Sequence, residues 1–169
     1  MDFPYKLSRV GVVMTPQDGN DLEAEGVLNP GSGRTPDGTL YLLPRLVATG
    51  NVSRVGLARV VIENGVPVGV EREGVVLAPD RGWERGANNA GVEDPRVTFV
   101  PRLGLHVMTY VAYGPLGPRT AIATSTDLRE WTRLGPALFA YDDALDMEDR
   151  KSTRLNSSHC GTSRMPSSA

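Results

Sequence analysis

Cysteine is nearly absent from this 169-residue chain, Cys160 being its single one, so neither a disulfide nor a cysteine-based metal site can form within one copy. A thiolate nucleophile is equally disfavoured. Histidine is almost as scarce: His106 and His159 are too few and too far apart in sequence to suggest a metal cluster, so no metal and no cofactor are assigned. Long apolar runs are missing too. None approaches the roughly 20 residues of a membrane-spanning helix, and the start MDFPYKLSR lacks the charged-then-apolar order of a signal peptide. No membrane role is expected, and a cytoplasmic location is. There is no basic stripe either. Residues 1–148 hold 14 Lys or Arg against 19 Asp or Glu, a balance of −5, with the arginines scattered, so nucleic acid is not an expected partner.

The chain does hold 19 glycines and 13 prolines, falling between short runs of Val, Ile, Leu, Thr and Tyr. That texture predicts strands separated by turns, an all-β fold. Strands are expected at 9–14, 39–47, 55–62, 96–100, 105–113 and 119–124, with another starting at Trp131. Pro36-Asp37-Gly38, Glu63-Asn64-Gly65 and Gly114-Pro115-Leu116-Gly117-Pro118 supply the residues that tight reversals need. Such meanders are compatible with a sandwich, a barrel or propeller blades.

From Asp149 the texture changes to KSTRLNSSHCGTSRMPSSA, rich in Ser, Arg and Thr and without period. Asp149 to His159 can be encoded by a nucleotide string that resembles a widely used sequencing-library adapter, and Ser163 to Ala169 by its continuation. Residues 149–169 are therefore expected to be a non-native tail and 1–148 the authentic domain. The nucleotide record tests this.

Three stretches carry the functional signal: VLNPGSGRTPDGTLYLLPRL, then GNVSRVGLARV followed by PVGVE, then GVEDPRVTFVPRLGLHVMTYVAYGPLGPRTAIATSTDLREW. In that order they resemble glycoside hydrolase family 130, the EDPR stretch before an MTY strand being the most distinctive piece. The Ser125-x-Asp127-Leu128-x-x-Trp131 turn is similar to those joining outer strands in sugar-enzyme propellers, with Trp131 as an apolar anchor. The resemblance implies a five-bladed β-propeller, of which this chain would be an incomplete part of about two to three blades. It also implies cleavage of β-mannosides with inversion, by phosphorolysis or hydrolysis. An oligosaccharide would be the substrate, inorganic phosphate the co-substrate of a phosphorylase, and a homo-oligomer is compatible with a full-length protein.

Carried onto this sequence, the resemblance makes Asp94 the general acid, protonating the departing oxygen through a hydroxyl of the bound sugar. A carboxylic acid does this near neutral pH only where burial or a neighbouring negative charge raises its pKa, and Glu93 could supply that charge. Against this, Asp-Pro is a common loop ending before a strand. Asn29 and Arg45 match sugar-contacting positions. Their chemistry suits hydroxyls, though Asn29-Pro30-Gly31 is also an ordinary turn signal. Arg45 interrupts the apolar Leu42–Val47 run, and a charge entering such a strand needs partners. Arg54 matches a further position, against the alternative of an exposed loop arginine; Arg34 is a weaker candidate. Tyr110 could stack beside a sugar or fill the core. Pro30 departs from the polar residue that mannoside phosphorylases often place after the Asn.

A furanosidase of the related five-bladed families is the rival enzyme, but it needs an early carboxylate that the NPGSGR stretch lacks. The other alternative is an inactive or merely sugar-binding fragment. Inverting hydrolysis needs a second carboxylate about 6.5–9.5 Å from the acid, where a phosphorylase uses bound phosphate. The residues that decide between them are expected beyond this segment.

Overall fold

The computed structural model describes residues 8–138. After a short 3-10 helix at Asp21–Glu23, the chain forms eight strands: β1 (Gly26–Arg34), β2 (Leu40–Ala48), β3 (Val52–Glu63), β4 (Val66–Leu77), β5 (Ala90–Val100), β6 (Leu105–Gly114), β7 (Gly117–Ser125) and β8 (Thr132–Pro136). Each strand pairs antiparallel with the next, first through β1–β4 and again through β5–β8. Two four-stranded meanders result, each of propeller-blade size. They join through one short parallel contact, Val52 opposite Ala90 and Ser53 opposite Gly91. The described residues thus form an all-β, open eight-stranded sheet.

Local chemistry explains the reversals. Asn64 and Gly65 lie between β3 and β4 with φ of 50° and 78°, the left-handed pair of a two-residue hairpin loop. Ser125 Oγ caps the turn after β7 by accepting from the Asp127 and Leu128 N–H groups, while Asp127 Oδ1 accepts from those of Arg129 and Glu130. Trp131 packs against the core and donates its indole N–H to Leu128 O at 2.9 Å, the anchoring role expected of it.

The core draws from both meanders: Tyr41 and Leu43 of β2, Val55 and Leu57 of β3, Met108, Tyr110 and Ala112 of β6, and Ala121 and Ala123 of β7. Their spacing of two is the inward face of each strand. Glycine lets the meanders meet closely. A Cβ on Gly91 would lie 2.3 Å from Ser53 O, and one on Gly31 3.0 Å from Pro95 O.

Two expected strands need correction, and two alternatives left open are decided. The run 9–14 forms no strand, and Val12 is 80% exposed; β propensity is realised only against a partner, and none lies beside it. Asn29-Pro30-Gly31 is no chain reversal but part of β1, and Glu93-Asp94-Pro95-Arg96 lies within β5, which begins at Ala90 rather than Arg96. In both places a bulge absorbs the proline that a regular ladder would reject. The expected tail at 149–169 lies outside the described residues.

Candidate active site

The bulges in β1 and β5 have the same construction. In β1 the register jumps from Leu28 opposite Arg45 to Gly31 opposite Leu43, so Asn29 and Pro30 together face Pro44. In β5 it jumps from Glu93 opposite Val111 to Arg96 opposite Thr109, so Asp94 and Pro95 together face Tyr110. Asn29 has φ 43° and Asp94 φ 48°, left-handed values that Asn and Asp tolerate better than other non-glycine residues. The extra residue turns these side chains away from the strand alternation, and they meet: Asn29 Nδ2 donates to Asp94 Oδ1 at 2.9 Å.

Arg45 completes the cluster. It shares the inward face of β2 with Tyr41 and Leu43, which explains a charge within an apolar run. Its Nε donates to Ser53 Oγ at 2.8 Å, its Nη1 to Asp94 Oδ1 at 3.2 Å, and its Nη2 to both Asn51 Oδ1 at 3.0 Å and Glu93 Oε1 at 2.9 Å. The Arg45 and Glu93 side chains are 13% and 12% exposed, while Asp94 is 32% exposed. One nearly buried cation therefore bridges two adjacent carboxylates, the more exposed of which is Asp94. Burial pushes the Glu93 carboxyl above the usual carboxylate range; Arg45 opposes the shift and the charge on Asp94 adds to it.

Asn29, Arg45, Glu93 and Asp94 are thus brought together from β1, β2 and β5. Arg54 is not. It faces Leu46 in the β2–β3 register, on the side of β3 opposite Ser53, and its Nη1 reaches only Val52 O, at 3.4 Å. Tyr110, opposite the Asp94 bulge, is a core residue 2% exposed, its hydroxyl donating to Glu84 Oε1 at 2.7 Å. Burial and that carboxylate push the hydroxyl's pKa up. Glu84 is fully buried and also takes Arg133 Nε at 2.9 Å and the Asp80 and Arg81 N–H groups. Burial alone would raise its pKa, but Arg133 and these donors hold it below the ordinary value. This clip ties the 79–89 segment to β6 and β8, a second buried ionic cluster separate from the first.

Sequence reading missed Ser53 and Asn51 as partners of Arg45. The signal available was the Asn51-x-Ser53 spacing beside a turn, but nothing in one strand shows which neighbour it will face. A cleft of about 630 Å³ lies elsewhere, at the β1–β2 and β5–β6 turns, lined by Arg34, Leu40, Phe99 and His106 among others. Arg34 there donates to Gly38 O within its own turn. Among the described residues no group of three or more His, Cys, Asp or Glu could hold a metal ion.

Two blade-sized meanders thus converge an amide from β1, a guanidinium from β2 and two carboxylates from β5, a polar set suited to sugar hydroxyls and to proton transfer. The comparisons name the family. Residues 38–163 match glycoside hydrolase family 130, described as β-1,4-mannooligosaccharide phosphorylase, and the chain belongs to that family. The match continues past Asp149, into the segment expected to be foreign.

Solved structures agree. One, from work describing GH130 mannoside phosphorylases as containing glycoside hydrolases that target β-1,2 mannosidic linkages in Candida mannan, is 31% identical over 81% of this chain and 45% of its own, with a TM-score of 0.55. A Bacteroides ovatus glycosyl hydrolase is 26% identical over 83% of this chain and 46% of its own, TM-score 0.58. A Parabacteroides distasonis protein reaches TM-score 0.62 at 25% identity, over 83% and 44%. The chain thus spans less than half the length of these relatives. No curated protein matches it.

Proposed function

We propose that this chain supplies the acid-bearing part of an enzyme that cleaves β-mannosides with inversion, Asp94 acting as the general acid. The observation that carries the reading is the meeting of Asn29, Arg45 and Asp94 on two matching bulges. Asn29 and Arg45 both bond Asp94 Oδ1, which fixes the carboxyl's orientation and points its chemistry at one place. In this reading Asn29 and Arg45 also offer N–H groups to sugar hydroxyls, and Asp94 delivers its proton to the departing oxygen by way of one of them. Glu93 holds Arg45 from the buried side, Arg45 Nη2 donating to its Oε1 at 2.9 Å. Tyr110 and Arg54 are assigned no sugar contact.

The reaction class is a glycoside cleavage in which either phosphate or an activated water attacks the anomeric carbon. Neither attacking group is assigned to a residue of this segment.

The test uses the protein carrying this segment at full length. Asp94→Asn should lower kcat on β-mannosides by about 10²–10⁴-fold, the weight of general acid catalysis, with the urea midpoint unchanged. Full activity in that variant would overturn the acid assignment. Assays with and without phosphate separate the two chemistries, since phosphorolysis requires it.

A further inference from the structure

The β2–β3 turn is built as a clamp. The Glu25 carboxylate accepts the N–H groups of Gly50 at 2.7 Å and Asn51 at 3.0 Å. Asn51 sits there at φ 54°, left-handed like the two bulge residues. Thus held, its side chain reaches in two directions. Oδ1 accepts from Arg45 Nη2 at 3.0 Å, and Nδ2 donates to Asn89 Oδ1 at 3.1 Å. The backbone repeats the second link, with Asn89 N on Gly50 O at 2.9 Å and Ala90 N on Asn51 O at 3.2 Å.

These contacts bear on the acid through two routes. Arg45 Nη2 has two N–H groups, one directed to Glu93 and one to Asn51. Without the Asn51 acceptor the guanidinium keeps only Ser53 as a neutral partner and is free to tilt between the two carboxylates. Asn89 is the residue that enters β5, five positions before Asp94, so the same amide also registers the acid-bearing strand against the first meander. We infer that Asn51 is a positioning residue, orienting the Arg45 guanidinium toward Asp94 and tying the strand that carries Asp94 to the strand pair that carries Arg45. The inference rests on the assignment of Arg45 and Asp94 given above.

Two substitutions keep the turn. Asn51→Gly retains the left-handed backbone and the Glu25 clamp but removes both side-chain bonds. Asn51→Asp retains the backbone and the acceptor for Arg45 while removing the donor to Asn89. In ¹⁵N NMR spectra of the chain, the Arg45 Nε–H, bonded to Ser53 in the parent, should exchange with solvent about tenfold faster in Asn51→Gly, the weight of one charge-assisted hydrogen bond. Asn51→Asp should restore it to within about twofold of the parent. Urea midpoints should stay together. An unchanged Arg45 signal in Asn51→Gly overturns the inference, as does an Asn51→Asp signal as fast as that of glycine. Parallel loss of folding in both variants also overturns it, because the side chain would then serve the fold alone.

β-Mannobiose binding to the full-length protein separates this from the function itself. If Asn29→Ala and Arg45→Ala leave its affinity unchanged, the sugar reading fails while the Arg45 signature stands. If the affinity falls in those variants but the signature does not follow Asn51, only the positioning role fails.

Discussion

In the first meander a left-handed residue and a proline, Asn29-Pro30, interrupt the leading strand opposite Pro44; in the second, Asp94-Pro95 interrupt it opposite Tyr110. The backbone device is the same and its load differs. The first meander presents an amide and, from its second strand, a guanidinium. The second presents two neighbouring carboxylates and nothing basic at the positions across from them, Val111 facing Glu93 where Arg45 faces Leu28. At the bulges charge is thus complementary between meanders rather than within either, and neither alone makes the cluster. Arg45 and the two carboxylates, each costly to bury singly, become tolerable only when the two meanders are joined.

The comparison can be broken most severely at the acid. Asp94→Asn makes the second bulge a chemical copy of the first, and the loss of about 10²–10⁴-fold in kcat with an intact fold separates chemistry from architecture. Next comes the buried Glu84 clip beside the second meander. Glu84→Gln leaves Arg133 without its buried counter-charge, and urea unfolding should show a loss of about 3–5 kcal/mol. A value near zero would mean that the Tyr110 and backbone bonds suffice.

A smaller effect is expected at the first bulge. Asn29→Val places a β-branched side chain at φ 43° and should cost about 1–2 kcal/mol, whereas Asn29→Gly keeps the backbone and loses only the bond to Asp94. Equal stability of the two variants would show that the bulge relaxes.

The smallest effect is in pH. Because the Glu93 carboxyl titrates above its unfolded value, the native state holds its proton longer, so this residue's contribution falls as pH rises from about 4.5 through the raised value. Glu84 has the opposite sign: its stabilisation is present above about 4.5 and is lost as acid is added. Urea midpoints measured from pH 4 to 8 should therefore decline less steeply on the alkaline side in Glu93→Gln. An unchanged slope would show that Glu93 does not titrate there.

Much of this was legible in the chain itself. Alternation marked β2, β3, β6 and β7, the Asn-Gly and Pro-Asp-Gly segments marked reversals, and Arg45 stood out as a charge among apolar residues. These features survive because they depend on neighbours two to four residues away, where strand period and turn chemistry act. Asn29-Pro30-Gly31 was ambiguous for the same reason: a left-handed residue followed by proline is sterically equivalent in a turn and in a bulge, and the choice depends on the strand opposite.

What the tertiary structure alone decided was facing. Ser53 and Arg54 are neighbours in sequence, yet a period of two sends the first to Arg45 and the second to the other side of β3. Tyr110 lies across from the Asp94 bulge but turns inward to Glu84, 26 positions away. Residue types and their order determined which chemistry was available and where the chain could reverse. Register across the two meanders determined which of those groups meet, because one inserted residue in a strand redirects a side chain and a partner strand decides where that residue is inserted.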